Sequence, residues 1–277
     1  MEIIAGTTAT TMATQSITPK GLKFDPPFSL LHSQSYAPIR TSLQYSIISR
    51  KPRITTRSIA DDTTSNTVTK VAAEDPSFAV KKKAADISTE LKGTSVFLVG
   101  MNNAIKTHLG NFLADALRYY YFDSDSLVFE AAGGESAAKA FRESDEKGYQ
   151  QAETEVLKQL SSMGRLVVCA GNGAVQSSAN LALLRHGISL WIDVPPGMVA
   201  RMDHSGFPES ELFALYKEMR DGYATADATV SLQKVASQLG YDDLDAVTTE
   251  DMTLEVLKEI EKLTRKKKMM EEAARPF

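Results

Sequence analysis

The sequence predicts an α/β fold: a five-stranded parallel sheet with helices on both faces, three layers deep. Two observations point there. Short β-rich runs alternate along the chain with longer segments whose apolar residues recur at helical spacing. The runs are also apolar at nearly every position, as in strands covered on both faces.

The elements follow in order from position 93. Residues 95–99 (SVFLV) read as a buried strand. In 106–118, Leu109, Phe112, Leu113 and Leu117 mark a helix. Residues 119–122 read as a second strand, ending in Asp123-Ser124-Asp125. The pattern predicts a helix over 149–163, then a strand over 165–169 that runs into Gly171-Asn172-Gly173. A helix over 178–185 turns at Gly187 into a fourth strand, 188–194, which Pro195-Pro196 stops. A helix over 210–220, a fifth strand over 228–232 and a long amphipathic helix over 253–274 complete the series. In sheets of this kind ligands bind beyond the carboxyl ends of the strands.

Composition excludes several classes. Of 277 residues, 43% are hydrophobic and 24% charged, enough to bury a core. No apolar run approaches the roughly 18 residues of a membrane-spanning helix. The single cysteine, Cys169, precludes an internal disulfide and a multi-cysteine zinc site. The four histidines are scattered, and no metal site is expected. A net charge of −4 gives no reason to expect a nucleic-acid partner. That average hides a split: residues 1–60 carry seven Lys/Arg against two acids, and the remainder is net −9. The first sixty also hold 17 Ser/Thr and five prolines. Such a start reads as a disordered transit peptide, and its few arginines before position 40 favour a plastid, in the stroma. Residues 61–92 read as a polar linker, with Lys81-Lys82-Lys83 solvated, and 93–277 as the folded domain with its C-terminal helix.

The turn after the first strand runs Gly100-Met101-Asn102-Asn103-Ala104-Ile105-Lys106-Thr107. A phosphate loop needs glycine, four residues, then Gly-Lys-Ser/Thr between a strand and a helix. Ile105 stands at the second glycine. Glycines let successive N–H groups turn inward at phosphate oxygens. A β-branched residue at positive φ would cost about 1–3 kcal/mol, and its methyls would intrude on the phosphate space. Lys106 and Thr107 would serve the phosphates and Mg²⁺ if the loop formed.

With Asp123-Ser124-Asp125, Gly171-Asn172-Gly173 and Arg220-Asp221-Gly222-Tyr223 in these places, the run from 96 to about 260 resembles the shikimate kinase family. That family belongs to the P-loop folds of the nucleoside-monophosphate-kinase-like group. The resemblance implies a nucleotide site at Gly100, Lys106 and Thr107. It implies Asp123 supporting Mg²⁺, and Asp125 orienting the substrate hydroxyl that attacks the γ-phosphate. It further implies a substrate site at Asp125, Gly171, Gly173 and Arg220. The chain departs from the family at five positions. Asn103 and Ile105 replace loop glycines. Gln150 stands where an arginine clamps the substrate carboxylate, at a loss of roughly 1.5–3 kcal/mol of charge-assisted bonding. Arg142, eight residues earlier, does not inherit that role. Asn172 stands in a glycine turn, where its side chain would take substrate space. Phe207 stands where a lid arginine reaches the transferring phosphate.

These defects converge on the chemistry. The expectation is therefore an inactive homologue that keeps Asp123 and Asp125 only as catalytic remnants. It would need no cofactor and would have a non-catalytic plastid role, in chloroplast development, through a protein partner the sequence does not identify. Two alternatives differ in class. One is a Mg·ATP-dependent kinase acting on an alcohol that lacks a carboxylate; the other is a nucleotide-binding sensor without turnover.

Overall fold

The computed structural model describes residues 76–202 and 208–275. All of them lie in one compact unit, Val68–Phe277. The expected transit peptide, the first fifteen residues of the expected linker and Phe207 lie outside the described residues.

The five strands are β1 (Val96–Val99), β2 (Tyr120–Asp123), β3 (Leu166–Cys169), β4 (Ile188–Asp193) and β5 (Ala228–Ser231). They form one all-parallel sheet in the order β2-β3-β1-β4-β5. Val96 pairs with both Val167 and Ile188, so β1 sits at the centre. Every residue of β1 and β3 is buried, which is why those runs are continuously apolar. From β1 the chain crosses to the β2 edge, returns as β3 beside β1, and then passes to the other side as β4 and β5. The switch point lies between β1 and β3, and the site is built at their carboxyl ends.

Ten α-helices cover the sheet among the described residues. In chain order they are α1 (Pro76–Leu91), α2 (Ala104–Leu117), α3 (Ser124–Ala132), α4 (Glu135–Ser144) and α5 (Glu146–Ser161). Then come α6 (Ser178–Leu184), α7 (Pro196–Met202), α8 (Glu209–Tyr223), α9 (Leu232–Leu239) and α10 (Thr249–Ala273). The expected start of the last helix, at 253, is corrected to Thr249. A capping box between Thr248 and Asp251 satisfies the first backbone donors there.

The linker expectation is corrected more deeply. Residues 76–91 form α1, whose Val80, Ala84, Ile87 and Leu91 are at most 1% exposed. Those four positions recur at helical spacing and pack on α2 and α10. Lys81 and Lys82 lie on the outer face, while Lys83 pairs with Glu261 of α10. Among the described residues the fold therefore includes α1 as well as the segment from 93.

Candidate active site

The site grows from three chain reversals, at the carboxyl ends of β1, β2 and β3. The first is the loop between β1 and α2. Gly100 has φ +132°, and a Cβ there would strike the Ile192 carbonyl, so glycine is required. Asn103 is extended and caps α2: its Oδ1 accepts from Lys106 N at 2.8 Å, and its Nδ2 donates to the Met101 carbonyl at 2.8 Å. Thr107 Oγ1 turns back to the Asn103 carbonyl at 3.3 Å.

The expected strain at Ile105 does not arise. The helix starts at Ala104, and among the described residues only Lys92, Arg118 and Arg165 are non-glycines with positive φ. Ile105 is already helical. It lines a small pocket of about 260 Å³ with Leu109, Met198, Leu232 and Met252. The loop departs from an anion cradle through its caps rather than through strain.

Lys106 is 1% exposed. Its ammonium donates to the Gly100 carbonyl at 2.8 Å, the Ala170 carbonyl at 2.8 Å and Asn102 Oδ1 at 2.7 Å. An ammonium has three donors, so none is left over. Burial pulls its pKa below the ordinary lysine value, against the opposing pull of Cys169, Asp125 and Asp123.

At the end of β2, Asp123 caps α3 and accepts from Ser126 N at 2.9 Å. Asp125 follows in the first turn and accepts a hydrogen bond from Asn102 Nδ2. Burial raises the Asp125 pKa, partly offset by the Lys106 charge and the Asn102 bond. Glu153 of α5 stands close by. Burial, and then the Asp125 charge, push its pKa up to about 7 against the pull of Arg142. The reversal after β3 passes beneath both carboxylates. A Cβ on Gly171 would collide with Asp125, and one on Gly173 with Glu153. Asn172 lies in a short 3-10 turn, Asn172–Val175, without positive φ. Its Oδ1 accepts from the Tyr223 hydroxyl at 2.9 Å, which ties the turn to α8. The Tyr223 ring lies on Trp191, centroids 6.0 Å apart.

Asp125, Glu153, Asn172 and Gly173 line a cleft of about 790 Å³. Its lining cations are Lys139 and Arg142, both from α4. The Arg142 guanidinium stands 5.7 Å over the Tyr149 ring. Arg142 thus shares the cleft although its spacing in sequence did not match the clamp. Gln150, at the clamp position, is exposed. It faces a neighbouring polar groove and lies 3.4 Å from Glu146. Arg220 lies on the exposed face of α8 and does not line the cleft. The structure therefore brings Gly100, Lys106, Asp125, Gly171 and Gly173 together and leaves Arg220 apart. Sequence reasoning missed Asn102 and Glu153, and it set Arg142 aside on spacing. A carboxylate one turn beyond Tyr149 was the available signal for Glu153.

The Glu153 carboxyl gives a prediction with a definite sign. Its pKa rises from an ordinary 4.5 to about 7 on folding. The stability it contributes is present below the unfolded value and lost as pH rises through about 7. Glu153→Gln removes that loss. At pH 8 the variant melts higher than the native protein, by the order of 1 kcal/mol after allowance for partial solvent access. At pH 4 the two coincide. Paired thermal melts at the two pH values check this.

A loop between a central parallel strand and its helix, carrying a lysine and ending beside an Asp-x-Asp, defines a P-loop kinase fold. A solved shikimate kinase from Acinetobacter baumannii, in complex with shikimate, superposes with a TM-score of 0.54. It is 24% identical and covers 65% of this chain and 97% of its own. The sequence model for shikimate kinase matches residues 102–206. The chain is 59% identical, over 87% of its length and 88% of the relative's, to an Arabidopsis thaliana protein described as "Probable inactive shikimate kinase like 1, chloroplastic". It is 35% identical, over 71% and 74%, to "Shikimate kinase 3, chloroplastic" of Oryza sativa subsp. japonica. The chain belongs to the shikimate kinase family, and it is a chloroplast member of it.

Proposed function

We propose that this chain is a shikimate kinase homologue that does not phosphorylate shikimate and acts in the chloroplast in a non-catalytic role, in the organelle's development. One observation carries the reading. The loop that would receive Mg·ATP satisfies itself: Asn103 fills the Lys106 backbone N–H, and all three ammonium donors of Lys106 are spent within the protein. Mg·ATP does not fit a loop whose donors are already bonded. Three further features support the reading. Asp123 serves as a helix cap, Gln150 lies outside the cleft, and Arg220 points to solvent. The name of the Arabidopsis relative agrees with it.

The test is a coupled assay with shikimate and Mg·ATP, run beside a thermal shift in Mg·ATP. A nucleotide at about 100 times its dissociation constant would stabilise the fold by about 2.7 kcal/mol. The expected results are no product above the blank and no shift. Product from shikimate sinks the proposal. A shift without product supports the sensor reading, and turnover of a different alcohol supports altered specificity.

A further inference from the structure

The geometry points to Asn102 as the positioning residue that holds the phosphate loop shut, by joining the loop's lysine to the aspartate of the adjoining cleft. This deepens the proposed function and rests on it: it assigns the refusal of nucleotide to one side chain.

Of the three acceptors around the Lys106 ammonium, two are backbone carbonyls, Gly100 at the end of β1 and Ala170 at the end of β3. The sheet fixes both. The third, Asn102 Oδ1 at 2.7 Å, belongs to a side chain and is the one that substitution can remove. The other end of the same amide donates to Asp125 Oδ2. Among the described residues no direct ion pair joins Lys106 to Asp125. The amide mediates between them. A primary amide accepts at one end and donates at the other, so one neutral group completes both a cation and a carboxylate.

An arriving phosphate oxygen must take the Asn102 place on Lys106. That breaks one charge-assisted bond and strips Asp125 of its donor as well. The carboxylate is then left close to the incoming anion. One residue thus imposes two penalties on the same event. Asn103 acts on a different atom, the Lys106 backbone nitrogen, and has no hold on the ammonium. Asn102 is exposed, so replacing it leaves the core untouched.

The experiment uses the full chain in four forms: native, Asn102→Ala, Asn103→Gly and the double variant. Each is titrated with Mg·ATP and separately with sodium tripolyphosphate. The readouts are melting temperature and fluorescence of Trp191, the sole tryptophan, which packs beside Gly100. The native chain and Asn103→Gly show no saturable change at millimolar ligand. Asn102→Ala binds both ligands saturably, about tenfold or more tighter than the native chain, as loss of one charge-assisted bond implies. The double variant binds tighter still. Asn102→Ser, too short to span both groups, gives the same gain and replaces the alanine form if that does not melt cooperatively. A cooperatively melting Asn102→Ala chain that binds no tighter than native overturns the assignment. So does Asn103→Gly alone matching the double variant. Phosphorylation of shikimate by the native chain would instead defeat the proposed function, whatever Asn102→Ala does.

Discussion

Lys106→Met lowers the melting temperature of the native chain substantially, with no nucleotide present. In a working phosphate loop the lysine reaches the β/γ-phosphates of the ligand. Here the ammonium is interior and holds the ends of β1 and β3 together through the Gly100 and Ala170 carbonyls. Methionine fills the stem volume but donates nothing. Two buried carbonyls and the Asn102 oxygen then lack their donor, at about 1–3 kcal/mol for each buried group. Relief of the buried charge offsets part of this. A net loss of about 3 kcal/mol corresponds to roughly 6–12 °C for a domain of this size. Circular dichroism melts of the two chains measure it. An unchanged midpoint would show that the lysine is not a structural tie.

The second large effect concerns α1. A chain beginning at Gly93 does not give a cooperatively folded domain, whereas one beginning just before Pro76 does. Val80, Ile87 and Leu91 are each at most 1% exposed, and each contributes about 1.5–3 kcal/mol by burial. Removing α1 also uncovers the faces of α2 and α10 beneath it. The loss is comparable to the whole stability of a typical domain, about 5–15 kcal/mol. The single substitution Ile87→Ala tests the same packing more gently, at about 2–5 kcal/mol. Calorimetry of the shortened chain decides the matter: a sharp transition within a few degrees of native would make α1 dispensable.

The strands were legible because burial on both faces leaves runs such as Val96–Val99 with no polar residue. The order of motifs along those strands carried the family. Helix α1 was obscured by three adjacent lysines, although Val80, Ala84, Ile87 and Leu91 held the period beneath them. The site was less legible, for a different reason. A motif gives a residue's place in the chain, whereas the bonds it makes depend on its neighbours in space. Ile105 read as strain, yet the Asn103 cap lets the helix begin at Ala104, so Ile105 is already helical. Lys106 read as a phosphate ligand, yet its bond to Ala170 spans 64 residues and no spacing rule reports it. Arg142 failed the spacing test and still reached the cleft, because α4 folds back over it.

The contact between α1 and α10 also sets an order of events. Lys83 and Glu261 meet across a separation of 178 residues, so the first helix of the domain waits for the last. Until α10 emerges, the apolar stripe of α1 has no final cover. Assembly through such distant contacts is slow, and the waiting intermediate is prone to aggregate. A premature stop anywhere before α10 therefore yields no smaller working domain, but a chain whose opening helix never finds its closing partner.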